Sequence, residues 1–107
     1  MRRLKGGKKI EQLFSDGVSV GAFPLRMIYL KDYKTNLVGV SVSKKQFKNA
    51  VDRNRIKRLL RVVVKKQLYV VLDKLDSKYC LMVLYVGKEI PQSNQLEEQF
   101  EFLIKRF

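Results

Sequence analysis

Between residues 8 and 16 the apolar positions Ile10, Leu13 and Phe14 fall at i, i+3 and i+4, the spacing of a short amphipathic helix, and Gly17 supplies its stop. Residues 22–31 are almost continuously apolar (Phe23, Leu25, Met27, Ile28, Tyr29, Leu30) and read as a strand, after which residues 32–36 bring polar turn chemistry. Residues 37–43 read as a second strand, paired with the first as a hairpin. In it Val38, Val40 and Val42 point one way and Gly39, Ser41 and Ser43 the other. One face of that strand is therefore small and polar, suited to close approach by something else. Asn49 offers a helix N-cap, Asp52 stands near the positive dipole end, and no Gly or Pro interrupts residues 50–75, so one long helix is predicted. Residues 79–86 read as a buried strand closed by Gly87. After Pro91 a last helix is expected, capped by Asn94 with Glu97 at N3 and with Leu96, Phe100, Leu103 and Phe107 as its apolar positions. The order is αββαβα. With no repeat and no linker, the elements should share one core, in a mixed α+β fold built as a two-layer α/β sandwich.

At 107 residues the chain has room for a single domain, and 46% hydrophobic content suffices to fill its core. Histidine is absent, which removes Ser/His and Cys/His nucleophile pairs, histidine general bases and histidine metal ligands together. The lone Cys80 allows neither an internal disulfide nor a cysteine zinc site, and it fits a reducing compartment, the cytoplasm. The carboxylates Glu11, Asp16, Asp32, Asp52, Asp73 and Asp76 are scattered, with no acid/base pair or metal cluster for phosphodiester hydrolysis. Catalytic residues, metal ligands and a cofactor bound by the chain itself are therefore not expected. No apolar run approaches the ~18 to 20 residues of a membrane span, and no apolar stretch follows the basic start as a secretory signal requires.

Charge changes the picture most. Lys and Arg number 23 against 10 Asp and Glu, a net +13 that calls for a polyanionic partner. The excess is local: residues 2–9 hold five bases, residues 44–66 hold ten against the single acid Asp52, and residues 73–107 are near neutral. Residues 1–7 are accordingly expected to form a basic, flexible arm. At about 100° per residue, Asn54, Lys57, Arg58, Arg61 and Lys65 share roughly a third of the long helix's circumference. Ile56, Leu59, Leu60, Val63, Val70 and Val71 lie opposite. A merely solvated face mixes signs to form i, i+4 pairs, whereas a like-charged one repels itself until an anion arrives. Arginine adds a planar fork that grips phosphate bidentately and stacks on bases.

The run from Lys44 to Arg61 resembles the signature of the protein subunit of bacterial ribonuclease P. That family is marked by Ser-Lys-Lys, here Ser43-Lys44-Lys45, and by Ala-Val-x-Arg-Asn-Arg-x-Lys-Arg-x-x-Arg, present in full from Ala50 to Arg61. The strand residues 38–42, the order of elements, the length and the glycine after the first helix are also similar. Ile10 stands where the family usually has Phe, Val62 replaces a common Glu or Gln, and Lys88 sits near the Arg that often ends the third strand; none of these touches the basic motif. The resemblance implies a left-handed βαβ crossover and a protein that joins a catalytic RNA and precursor tRNA. It implies that magnesium held in that RNA removes the 5′ leader, with no membrane and no obligate protein partner involved.

By the same resemblance the long helix contacts the catalytic RNA, and a groove between the first helix and the sheet receives the leader. The expected RNA-binding set is Lys44, Lys45, Lys48, Arg53, Asn54, Arg55, Lys57, Arg58, Arg61 and Lys65. For the groove the residues offer Phe14, Tyr29 and Ser41, because aromatic stacking accepts any base and a small residue lets a backbone approach. Cys80, Met82 and Leu84 read as core. A ribosomal or other structural RNA-binding protein would carry the same charge, yet neutralising RNA in bulk does not need Asn54 between Arg53 and Arg55. A DNA-binding helix-turn-helix needs a short helix pair, which an uninterrupted helix after Ala50 does not provide.

Overall fold

The computed structural model describes residues 2–4, 7–31 and 33–107, the side chains at 2, 3 and 7–9 excepted. A short strand β1 (Arg2–Arg3) precedes helix α1 (Gly7–Asp16), which buries Leu13 completely. The helix ends for a steric reason. A Cβ on Gly17 would stand 2.3 Å from the Leu13 carbonyl oxygen and 2.6 Å from Ile28 Cγ2, so only glycine lets the chain leave the helix this close to the sheet.

Two strands follow where the apolar run suggested one. Val18 and Val20 alternate with Ser19 and Gly21 in β2 (Val18–Ala22), a cis Phe23-Pro24 bond makes the turn, and β3 (Leu25–Lys31) returns antiparallel. Pro24 has no N–H to give a ladder, so it divides the run. The expected hairpin between β3 and β4 (Leu37–Val42) does not form, because β5 (Tyr79–Tyr85) lies between them, antiparallel to β3 and parallel to β4. β5 is apolar on both faces and is satisfied only as a central strand with helices above and below. Asn36 pins this register: its buried side-chain Oδ1 accepts the Tyr79 N–H at 2.8 Å.

The sheet runs β1-β4-β5-β3-β2. The basic arm expected over residues 1–7 is in part docked, since Arg2–Arg3 pairs in parallel with Leu37 and Val38 and the buried Leu4 donates its N–H to the Val38 carbonyl at 2.9 Å. Its positions 1, 5 and 6 lie outside the described residues. The order is therefore βαβββαβα in place of αββαβα, with the long helix counted once.

That helix runs without a break through α2 (Ala50–Val63), a π turn (Val64–Leu68) and α3 (Tyr69–Lys74). Asn49 caps it as expected, its Oδ1 accepting the Val51 N–H at 2.9 Å. Ile56, Leu60 and Val63 pack on the sheet, but Val70, expected on the same stripe, is 49% exposed while Leu68 and Leu72 are buried. A π turn holds one residue more than an α turn and sets the helical phase back by about 100°. Leu68 and Leu72 thereby stay over the sheet and Val70 turns outward.

Helix α4 (Ser93–Arg106) lies against the same face and buries Leu96, Phe100 and Leu103. Asn94 does not cap it. The first turn closes on the Gln92 carbonyl, which accepts the Leu96 N–H, so Asn94 falls inside the helix and its Oδ1 takes the Gln95 N–H at 2.9 Å. On the opposite face α1 covers Ile28, Cys80 and Met82 together with Leu4, adding a single-helix layer to the α/β sandwich.

Candidate nucleic-acid interface

β1 covers only the first two residues of β4, so from Gly39 onward that strand's outer edge is open among the described residues. α1 lies on one side of this edge and the long helix on the other, and between them is a cleft of about 380 Å³. Ile10 and Phe14 enter it from α1, Gly39 and Ser41 from β4, and Arg61, Val64, Lys65 and Tyr69 from the long helix. Full burial of Leu13 anchors α1, and Phe14, one position on, is turned outward and 54% exposed. A Cβ on Gly39 would stand 3.1 Å from Leu4 Cβ, so the small face of β4 makes room for the chain's own Leu4 before it receives any ligand. Ser41 stands beyond that contact in the open cleft.

The electrostatics are one-sided. Among the described residues, Arg61 and Lys65 line the cleft and no carboxylate does. Outside it Lys44, Lys45 and Lys48 are exposed on the loop before α2, and Asn54, Arg55 and Arg58 are exposed on α2 with Lys57 half-buried beside them. Among the described residues the single ion pair is Lys66 with Glu97, 3.0 Å, so the stripe has no carboxylate partner. A second hollow of about 350 Å³, between Pro24 and the first half of α4, carries Glu89 and Glu98 and, among the described residues, no cation, which suits no polyanion. There burial, and after it the Glu89 charge, raises the Tyr85 pKa above 10.0, keeping its hydroxyl a donor to the Glu89 carbonyl at 2.6 Å.

Two expected site residues are placed elsewhere. Tyr29 does not reach the cleft: it lies on the opposite face of β3, where its ring meets Phe107 edge-on at 4.8 Å and Tyr79 at 5.9 Å. β3 is apolar on both sides, so its alternation alone could not say which side α1 covers. Arg53 is half-buried and directs Nη1 to the Phe47 and Lys48 carbonyls at 2.8 and 2.9 Å. It braces the lysine-bearing loop against α2. Tyr69 and Val64 were not anticipated in the cleft, because residues five apart stand about 140° apart on a regular α-helix.

A family model described as Ribonuclease P matches residues 1–107, the whole chain and with it both the stripe and the cleft. The chain belongs to this family. The ribonuclease P protein component of Porphyromonas gingivalis is 29% identical over 102 residues, covering 87% of this chain and 73% of that one. That of Streptococcus agalactiae serotype Ia is 44% identical over 66 residues, 61% and 60% of the two chains. The RNase P protein of Staphylococcus aureus superposes with a TM-score of 0.78 at 24% identity, covering 99% of this chain and 94% of that one. For that of Thermotoga maritima the values are 0.79, 20%, 100% and 98%. These two likenesses establish the ribonuclease P protein fold. Among the described residues no three of Cys, Asp and Glu gather where they could hold a metal ion.

Proposed function

We infer that the chain is the protein subunit of ribonuclease P, acting in maturation of the tRNA 5′ end as part of an endoribonuclease. The observation that carries the reading is the unpaired basic stripe of α2 running into a cleft that holds both cations and aromatic rings, in a chain matched end to end by the family model. Phosphates want the cations and unstacked bases want the rings. We propose that Arg55, Lys57, Arg58 and the lysines of the preceding loop grip phosphates of the enzyme's RNA. The cleft takes the single-stranded leader, with Phe14 as a stacking surface, Ser41 where the leader backbone passes close to the sheet, and Arg61 and Lys65 on its phosphates. Hydrolysis in this proposal belongs to the RNA with its magnesium, and the protein's share is to bind and hold the substrate. Among the described residues no helix is long and apolar enough to cross a membrane, and the compartment we propose is the cytoplasm.

The test is reconstitution of the protein with ribonuclease P RNA and precursor tRNA at low magnesium. Stimulated cleavage at the mature 5′ end is expected, and the protein shown to be free of RNA should cleave nothing. Failure to stimulate several such RNAs would turn the reading toward a structural RNA-binding protein.

A further inference from the structure

The π turn does more than keep Leu68 and Leu72 over the sheet. In it the Val64 carbonyl accepts the N–H of Tyr69, five residues on, so the chain takes one residue longer to come round. Tyr69 then stands one turn beyond Val64 on the same side of the helix, and both line the cleft. Arg61 and Lys65 precede it along the same wall, while Phe14 faces from α1. The turn's other polar residues point elsewhere: Lys66 pairs with Glu97 at 3.0 Å and Gln67 donates to the Glu97 carbonyl at 3.1 Å, which ties this segment to α4.

Tyr69 is half-buried, packed in part against the main core, and its hydroxyl makes no hydrogen bond among the described residues. Packing at this level is supplied by Leu68 and Leu72, both fully buried. A ring held on one side by the core and opening on the other to a cationic cleft loses little freedom when a base lies on it. We propose that Tyr69 is a second stacking platform, opposite Phe14, for a base of the single-stranded RNA in the cleft, put there by the π turn. Arg61 and Lys65 hold the flanking phosphates. This rests on the cleft being the leader groove, and it adds a residue that sets how much of the leader the protein holds.

The test uses the reconstituted holoenzyme and compares Tyr69→Leu, which keeps apolar packing without the ring, with Tyr69→Phe, which keeps the ring. Dissociation constants are measured for precursor tRNA and for mature tRNA, with melting temperatures of each variant. Tyr69→Leu should weaken precursor binding by about five- to a hundredfold, the worth of one stacked base. Mature tRNA should bind as before, and Tyr69→Phe should match the original protein. Equal losses for both tRNAs with a lowered melting temperature would reduce Tyr69 to a packing residue and overturn the inference. Unchanged precursor binding in Tyr69→Leu, while the original holoenzyme still prefers precursor, overturns Tyr69 alone. If the original holoenzyme shows no preference for precursor over mature tRNA, the leader groove falls and Tyr69's role with it.

Discussion

Helices α2 and α4 are each 14 residues long and press on the same face of the sheet with the same i, i+4, i+7 set: Ile56, Leu60 and Val63 in one, Leu96, Phe100 and Leu103 in the other. Their outer sides differ. On α4, Glu97, Glu98 and Glu101 are offset by Lys105 and Arg106, and the cations have internal uses: Lys105 sits over the Phe102 ring at 5.8 Å and Arg106 donates to the Gly21 carbonyl. On α2, Arg55, Arg58 and Arg61 face outward with Asp52 as the helix's one acid and no ion pair among the described residues. Packing asks only for the inner stripe, so the outer side is free to serve something else. An unpaired cationic stripe lowers stability by self-repulsion, and it is the mark of a polyanion that the chain lacks alone.

If the inner stripes do the same work, truncating either should cost alike. Leu60→Ala should lower stability by roughly 2 to 5 kcal/mol and Phe100→Ala by roughly 3 to 5 kcal/mol, measured by urea and thermal unfolding. A truncation on one helix without loss would end the equivalence. Arg53→Ala divides α2's own charges. Its guanidinium bonds to two loop carbonyls predict a stability loss of about 1.5 to 3 kcal/mol and faster amide exchange over residues 43–48. A variant that melts like the original and loses only RNA affinity would move Arg53 to the RNA-facing set.

The smallest effect falls on the outer sides. Arg58→Ala should leave melting unchanged and weaken binding to the enzyme's RNA by about 1 kcal/mol near physiological salt. It should also reduce the magnitude of the slope of log affinity against log salt by ~0.7 to 0.9. Glu98→Gln on α4 should change neither. Equal effects from the two would mean that overall charge, and not the α2 stripe, draws the RNA.

Much of this is legible in the sequence. The stripe of Ile56, Leu60 and Val63, the Asn49 cap, the Gly17 stop and the alternation of Val38, Val40 and Val42 are local patterns with a fixed period, and each appears in the structure. The strand Val18–Ala22 was missed because only Val18 and Val20 mark it, and the Asn94 cap failed because the helix closed on Gln92 two residues earlier. Of the groove candidates, Phe14 and Ser41 line the cleft and Tyr29 is across the sheet.

The sequence by itself determined what depends on neighbours within a few residues: which segments are helix or strand, where the cations crowd, and the motif from Ala50 to Arg61 that resembles the family. Tertiary structure decided what depends on residues far apart in the chain. It put β5 between β3 and β4, set Leu4 against Gly39, turned Arg53 to the loop carbonyls, and fixed which side of β3 α1 would cover. It also decided the helix's phase beyond Val63. Leu68 and Leu72 can both lie on the sheet only if one extra residue enters the turn, and the gain from burying them outweighs the poorer π geometry. Tyr69 reaches the cleft by that same turn, a consequence of packing that no helical projection of the sequence contains.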